Sequence, residues 1–224
     1  MSEAHFKVKV AGEEHTHLAD AICLEMEESA KARGTGIAKR SPDYIRQKMT
    51  EGKAIIALNE NKEFAGFCYI ETWGHGKYVA NSGLIVVPKY RKYGLATKIK
   101  EKAFALSRKK YPEAKLFGLT TSAPVMRINS ELGYRPVPFS ELTDDEQFWK
   151  GCASCVNFEI LKSKDYKNCL CTGMLYDPKE KNRKKWDFVK KSKIYERWQR
   201  LKSHRLLKSF KPKAILLYLG FNAV

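Results

Sequence analysis

The stretch Leu84-Ile85-Val86-Val87-Pro88-Lys89-Tyr90-Arg91-Lys92-Tyr93-Gly94-Leu95-Ala96 decides how the rest of the chain is read. Four apolar residues in succession suit a strand covered on both faces. Pro88 ends it, because proline has no N–H to give a sheet ladder. Beyond Gly94 the apolar positions Leu95, Ile99, Ala103 and Leu106 recur at helical spacing. The order is therefore strand, basic glycine turn, helix. The first N–H groups of a helix lack intrahelical partners and the helix dipole is positive there, so the turn suits a phosphate.

Arg91, Gly94 and Ala96 stand at the spacing of a known signature: arginine or glutamine, two residues, glycine, one residue, then glycine or alanine. Leu84, Val86 and Pro88 precede it at matching distances. The segment resembles motif A of the GNAT superfamily of acyl-CoA N-acyltransferases. The resemblance implies that the turn from Arg91 and Lys92 through Tyr93, Gly94, Leu95, Ala96 and Thr97 holds the pyrophosphate of acetyl-CoA. It implies that Leu84, Val86 and Val87 bond the pantetheine arm, and that the N–H of Val86 or Val87 polarises the thioester carbonyl. Ser122 to Tyr134 resembles the family's motif B. Gly133-Tyr134 and Ile128 fit it, while Ser122, Val125 and Asn129 depart from it. Asn129 takes the place of a tyrosine that often protonates the departing thiolate, and an amide cannot be a general acid. It is counted among the cofactor-binding positions.

Turn and period signals elsewhere predict strand 6–10, helix 17–33, a helix from Ser41-Pro42 to Met49, strands 54–58, 64–71 and 79–87, helix 95–110, strand 116–121, helix 122–131, an extended segment 134–142 and a last strand 170–176. Residues 144–168 read as polar and irregular. This order matches the GNAT topology and predicts an α/β (α+β) fold with a mixed, mostly antiparallel central sheet flanked by helices. The acyltransferase domain is expected over 1–178, with a cysteine-rich insertion at 144–171, and a basic helical extension over 179–224.

The chain has 224 residues, 43% of them hydrophobic, and a formal net charge of +17. That composition sustains a core and excludes a disordered chain. Much of the charge lies in 179–213, which holds fifteen Lys or Arg against three acids. Trp186, Val189, Ile194, Trp198 and Leu201 interrupt the lysines at roughly helical spacing, an amphipathic basic pattern. Nucleic-acid binding through this tail stays open but is not expected, and a homodimer is left open. The first thirty residues carry several acids and no apolar signal core, and no stretch approaches the ~20 apolar residues of a membrane span. A cytoplasmic location is expected.

Acyl transfer to an amine needs a base. Glu71 closes the strand beside the central one and is the best candidate; His75, in a Gly74-His75-Gly76 turn, is weaker. Arg33, Lys39 and Arg40 surround a glycine loop and can grip an anionic acceptor, with Arg127 a weaker candidate. Cys152 and Cys155 form a C-x-x-C pair, and Cys169 and Cys171 are expected to share a face of the last strand. Four such thiolates suit a tetrahedral structural zinc; unpaired thiols or a redox pair at 152 and 155 are the alternatives. Cys23 and Cys68 read as core.

The segments 81–86, 132–142 and 148–152 look like short bacterial GNAT proteins assigned to the acetylglutamate synthase step of arginine biosynthesis. That narrower resemblance implies the amine of L-glutamate as acceptor. A protein N-terminus, a small amine, or a coenzyme A-sensing, nucleic-acid-binding regulator are the competing readings.

Overall fold

The computed structural model describes residues 5–34 and 38–180, apart from the side chain of Arg33. Its elements are β1 (Lys7–Val10), α1 (Ala19–Arg33), α2 (Pro42–Thr50), β2 (Ala54–Leu58), β3 (Phe64–Trp73), β4 (Tyr78–Val86), α3 (Leu95–Lys110), β5 (Lys115–Thr120), α4 (Ala123–Glu131), β6 (Arg135–Val137), α5 (Glu146–Lys150), α6 (Phe158–Ser163) and β7 (Thr172–Tyr176). The expected basic extension lies outside the described residues beyond Glu180.

The seven strands form one sheet in the order β1-β2-β3-β4-β5-β7-β6. Only the β4–β5 pair is parallel. β2 is apolar and buried throughout because both of its faces are covered. Along β2 and β3 the period of two sorts side chains between two cores. Ile55, Ala57, Cys68 and Ile70 join Leu95, Ile99 and Ala103 of α3 on one face. Ile56, Phe67 and Tyr69 join Ile22, Met26, Ile45 and Met49 of α1 and α2 on the other.

Local signals explain the helix ends. The Ser41 hydroxyl accepts from the Tyr44 N–H at 3.2 Å, capping α2, with Pro42 in the first turn. Gly34 closes α1 in the left-handed region at φ 60°. Two expectations need correction. Residues 144–168 are not irregular: they contain α5 and α6, and Trp149 and Leu161 bury themselves with Phe117, Phe139 and Leu175 in a third core. The last strand begins at Thr172, not at residue 170, so Cys169 and Cys171 precede it.

Candidate active site

β4 and β5 are laddered only where Tyr78, Val79 and Ala80 face Lys115, Leu116 and Phe117. Past Ala80 the two strands part, and a cavity of about 500 Å³ opens in the fork. Its walls include Asn81, Ser82, Gly83 and Leu84 from β4 and Gly118, Leu119 and Thr120 from β5. β4 also carries a bulge here: Phe67 pairs Ile85 and Tyr69 pairs Ser82, so Gly83 and Leu84 together oppose Cys68. Gly83 has φ +65°, and a Cβ there would lie 2.7 Å from the Tyr69 ring. Bulge and close ring both call for glycine.

β4 then leads to the basic turn. Lys92 (φ 72°) and Gly94 (φ 70°) are both left-handed and curl the chain into α3. α3 starts without a side-chain cap and without an acid in its first turn. Its leading N–H groups therefore face outward beside exposed Lys92 and Tyr93, an arrangement that attracts an anion. Leu95 points the other way, into the core. Arg91 is turned inward at its tip. Its Nε donates to the Val86 carbonyl at 2.9 Å, and its Nη2 donates to the Ser29 hydroxyl at 2.9 Å and lies 3.7 Å from Glu25. Among the strand positions marked for pantetheine, only Leu84 lines the cavity. The Val87 N–H is taken by the Ala65 carbonyl at 3.0 Å, so it is not available to polarise a thioester.

On the α1/α2 face of the sheet the cavity meets Arg40, Tyr44, Tyr69 and Glu71. Glu71 Oε2 accepts the Tyr44 hydroxyl at 2.6 Å and sits 2.6 Å from Lys48 Nζ, a lysine whose side chain is only 6% exposed. Neither partner is legible locally, since both lie across the sheet on α2. Burial, then Tyr69 and the carboxylate of Glu71, push the Tyr44 phenol well above its ordinary value, so it stays a donor. Arg40 Nε donates to the Tyr69 hydroxyl at 2.7 Å, and its guanidinium stacks 5.6 Å from the Tyr44 ring centroid.

The remaining acceptor-side candidates diverge. Lys39 lines the cavity, but its exposed ammonium lies 3.7 Å from Glu27. Arg127 does not line the cavity and pairs with Glu131 on the outside of α4. Of the 33–40 loop, residues 35–37 and the Arg33 side chain are outside the described residues.

On the α3 face the cavity reaches Lys100 and Asn129. Both are 2% exposed. Lys100 Nζ donates to Asn81 Oδ1 at 3.3 Å, and the Tyr134 hydroxyl donates to the same oxygen at 3.0 Å. Asn81 Nδ2 donates onward to Ser107 Oγ at 3.0 Å. Asn129 Oδ1 is buried without a hydrogen-bond partner among the described residues. Lys100 escaped sequence reading because it falls beside Ile99 at the edge of the apolar stripe, where a solvent-facing lysine reads the same.

The zinc expectation is not supported. Among the described residues no group of three or more His, Cys, Asp or Glu side chains is placed to hold a metal. Cys169 and Cys171 lie ahead of β7, so it is the loop and not strand alternation that sets their thiols beside one another. Cys155 Sγ instead accepts from the Asn157 N–H at 3.4 Å, and the Cys169 thiol donates to the Asn157 carbonyl at 3.8 Å. All four are free thiols. Burial, and then neighbouring sulfurs, push Cys152 up to about 11 and Cys171 up to about 12.

A family model described as Acetyltransferase (GNAT) family matches residues 23–126, from α1 across the fork and the turn into α4. That span, just under half of the chain, is similar to the GNAT acetyltransferases. Solved structures agree on the fold. N-acetylglutamate synthase from Neisseria gonorrhoeae, complexed with coenzyme A and N-acetyl-glutamate, is similar at TM-score 0.55 and 14% identity, covering 79% of this chain and 36% of that one. A Mycobacterium tuberculosis protein in complex with CoA is similar at 0.55 and 15%, covering 76% and 98%. The Salmonella typhimurium protein yncA with its cofactor acetyl-CoA is similar at 0.54 and 14%, covering 82% and 99%. The chain thus spans about a third of the length of the Neisseria synthase. No curated protein matches the chain by sequence. No helix among the described residues is long and apolar enough to cross a membrane.

Proposed function

We propose that the chain is an acetyl-CoA-dependent N-acetyltransferase acting on the amine of a small anionic amino acid, such as L-glutamate, in the cytoplasm. The observation that carries this reading is the fork itself. One cavity joins the backbone of the β4 bulge to a cationic, aromatic wall on the α1/α2 face, and β4 runs on from the bulge to an uncapped helix start. The turn at 92–97 receives the pyrophosphate. The pantetheine arm follows β4 into the fork, where its amide N–H groups can satisfy the orphaned Asn129 Oδ1. The bulge backbone at Gly83–Leu84 polarises the thioester carbonyl, in place of Val86 or Val87.

The acceptor enters from the α1/α2 face. Arg40 presents a half-buried guanidinium to a carboxylate, and Glu71, held in place by Tyr44 and Lys48, accepts the proton that the amine must shed. The same cations disfavour a polyamine. The Neisseria synthase bound to N-acetyl-glutamate supports an amino-acid acceptor by analogy of fold. The test is thiol release from acetyl-CoA across a panel of amino acids and amines. Turnover with acidic amino acids is expected. Turnover confined to neutral or cationic amines would overturn the acceptor, and none with any amine would overturn the activity.

A further inference from the structure

Direct transfer creates a thiolate as well as an amide, and the thiolate needs a proton. Asn129 cannot give one. The sheet divides the cavity's ionisable groups between its two faces. Glu71, Tyr44, Lys48 and Arg40 lie on the α1/α2 side, and Lys100 lies on the α3 side, reached through the gap past Ala80. An amine attacking from the α1/α2 side leaves the sulfur free to depart on the α3 side, because attack and departure take different directions at a tetrahedral carbon.

Resting on the acyl-transfer reading above, we propose that Lys100 delivers the proton to the sulfur of the departing coenzyme A. Its ammonium is the cationic donor of the cavity on the α3 side. It is 2% exposed and lines the cavity, and its hydrogen bond to Asn81 Oδ1 at 3.3 Å occupies one of its three N–H groups. Asn81 is the first residue of β4 past the last β4–β5 pair, so the ammonium is held at the vertex of the fork. Among the described residues, the groups facing Lys100 are Cys68 from β3, Asn81 from β4 and the ring of Tyr134 beyond α4, 5.5 Å from Nζ, with no carboxylate among them. Burial lowers the lysine's proton affinity, with Cys68 opposing. A cation so placed is electrostatically matched to a sulfur anion and less reluctant to release its proton than a solvated lysine. Tyr134 is a poorer donor, since burial raises its phenol well above the ordinary value.

The step balances. The amine nitrogen bonds to the thioester carbon, the C–S bond breaks with its electron pair on sulfur, and an Nζ proton completes the thiol. Lys100 is left as a neutral amine. The nitrogen's surplus proton leaves by way of Glu71 and water, and Lys100 recovers a proton from water.

The experiment compares acetyl-CoA with an aryl thioester, whose acidic thiol leaves without protonation. Lys100→Met is expected to slow release from acetyl-CoA by about 10²–10⁴-fold, the usual contribution of a general acid. With the aryl thioester the two enzymes should differ by less than about threefold, since the acid is then redundant. Lys100→Arg, which keeps the charge but not the releasable proton, should follow Lys100→Met and guards against a folding failure. Coenzyme A affinity, read by calorimetry, should hold in both. Equal losses with both donors, no loss with acetyl-CoA, or the donor-dependent loss appearing in Tyr134→Phe instead would overturn the assignment. A wild-type chain that binds coenzyme A but releases thiol from neither donor would overturn the acyl-transfer reading itself, and Lys100's role with it.

Discussion

Lys48→Met tests how the acceptor wall is held. Lys48 Nζ lies 2.6 Å from Glu71 Oε2, 3.6 Å from Glu51 Oε2 and 4.8 Å from the Tyr44 ring centroid. Methionine keeps most of the apolar stem and removes the ammonium, leaving Glu71, 14% exposed, with hydrogen bonds from the Tyr44 hydroxyl and a backbone N–H and with the charge of Lys53 nearby. Breaking a buried pair by removing one partner costs about 3–5 kcal/mol, chiefly because the other charge is stranded. Domains of this kind hold about 5–15 kcal/mol in total. With a urea slope of about 2–3 kcal/mol/M, the midpoint should fall by on the order of 1–2 M. Lys48→Met combined with Glu71→Gln removes both charges and keeps an acceptor for Tyr44, so it should recover at least half of the loss. The assay is equilibrium urea unfolding followed by tryptophan fluorescence. A single variant that loses under about 1 kcal/mol, or a double variant as unstable as the single, would show that Glu71 is not a stranded charge and refute the reasoning.

Glu71→Gln should slow acetyl transfer by about 10²–10⁴-fold, the range for a general base, with coenzyme A affinity unchanged by calorimetry. Arg40→Met should raise KM for an acidic amino acid by about 10–100-fold, equivalent to one charge-assisted hydrogen bond, and leave KM for a carboxylate-free amine nearly unmoved. Gly83→Ala should lower stability by at least about 1–2 kcal/mol in the same unfolding assay, because alanine resists φ +65° and its methyl meets the Tyr69 ring. Cys68 concerns pH. Burial pushes its thiol up to about 11, above the unfolded value of about 8.5, so the stabilisation is complete below about pH 8.5 and is lost as pH rises through about 11. Cys68→Val should flatten that alkaline decline in thermal melts taken from pH 8 to 11.

The features legible in sequence share one property: their cause is local. Pro88 ends β4, Ser41-Pro42 starts α2 and Gly94 opens α3, each through the backbone chemistry of one or two residues. The GNAT signature is legible for the same reason, being confined to one turn. What escaped depends on partners distant in sequence. Nothing in the neighbourhood of Glu71 announces Lys48, and nothing near Lys100 announces Asn81. The insertion reads as irregular because its apolar residues, Phe148, Trp149, Phe158 and Leu161, lie too far apart for a long period, yet they converge on Phe117 and Phe139. The cysteine spacing suits a metal, and the sulfurs do neighbour one another, yet among the described residues no group of three or more ligands is placed to hold one, and β7 begins only at Thr172.

Arg91 gives the molecule a fastening between sheet and helix. Its guanidinium ties the end of β4 to Ser29 and Glu25 on α1, the helix that leads to the 33–40 loop. On the function proposed above, a diphosphate at the turn would compete for that same cation. A ligand that drew Arg91 outward would release its bonds to Val86 and Ser29, while Ile22 and Met26 keep α1 packed on the sheet. Exchange of that one cation would thus make an anion at the turn felt at the C-terminal end of α1.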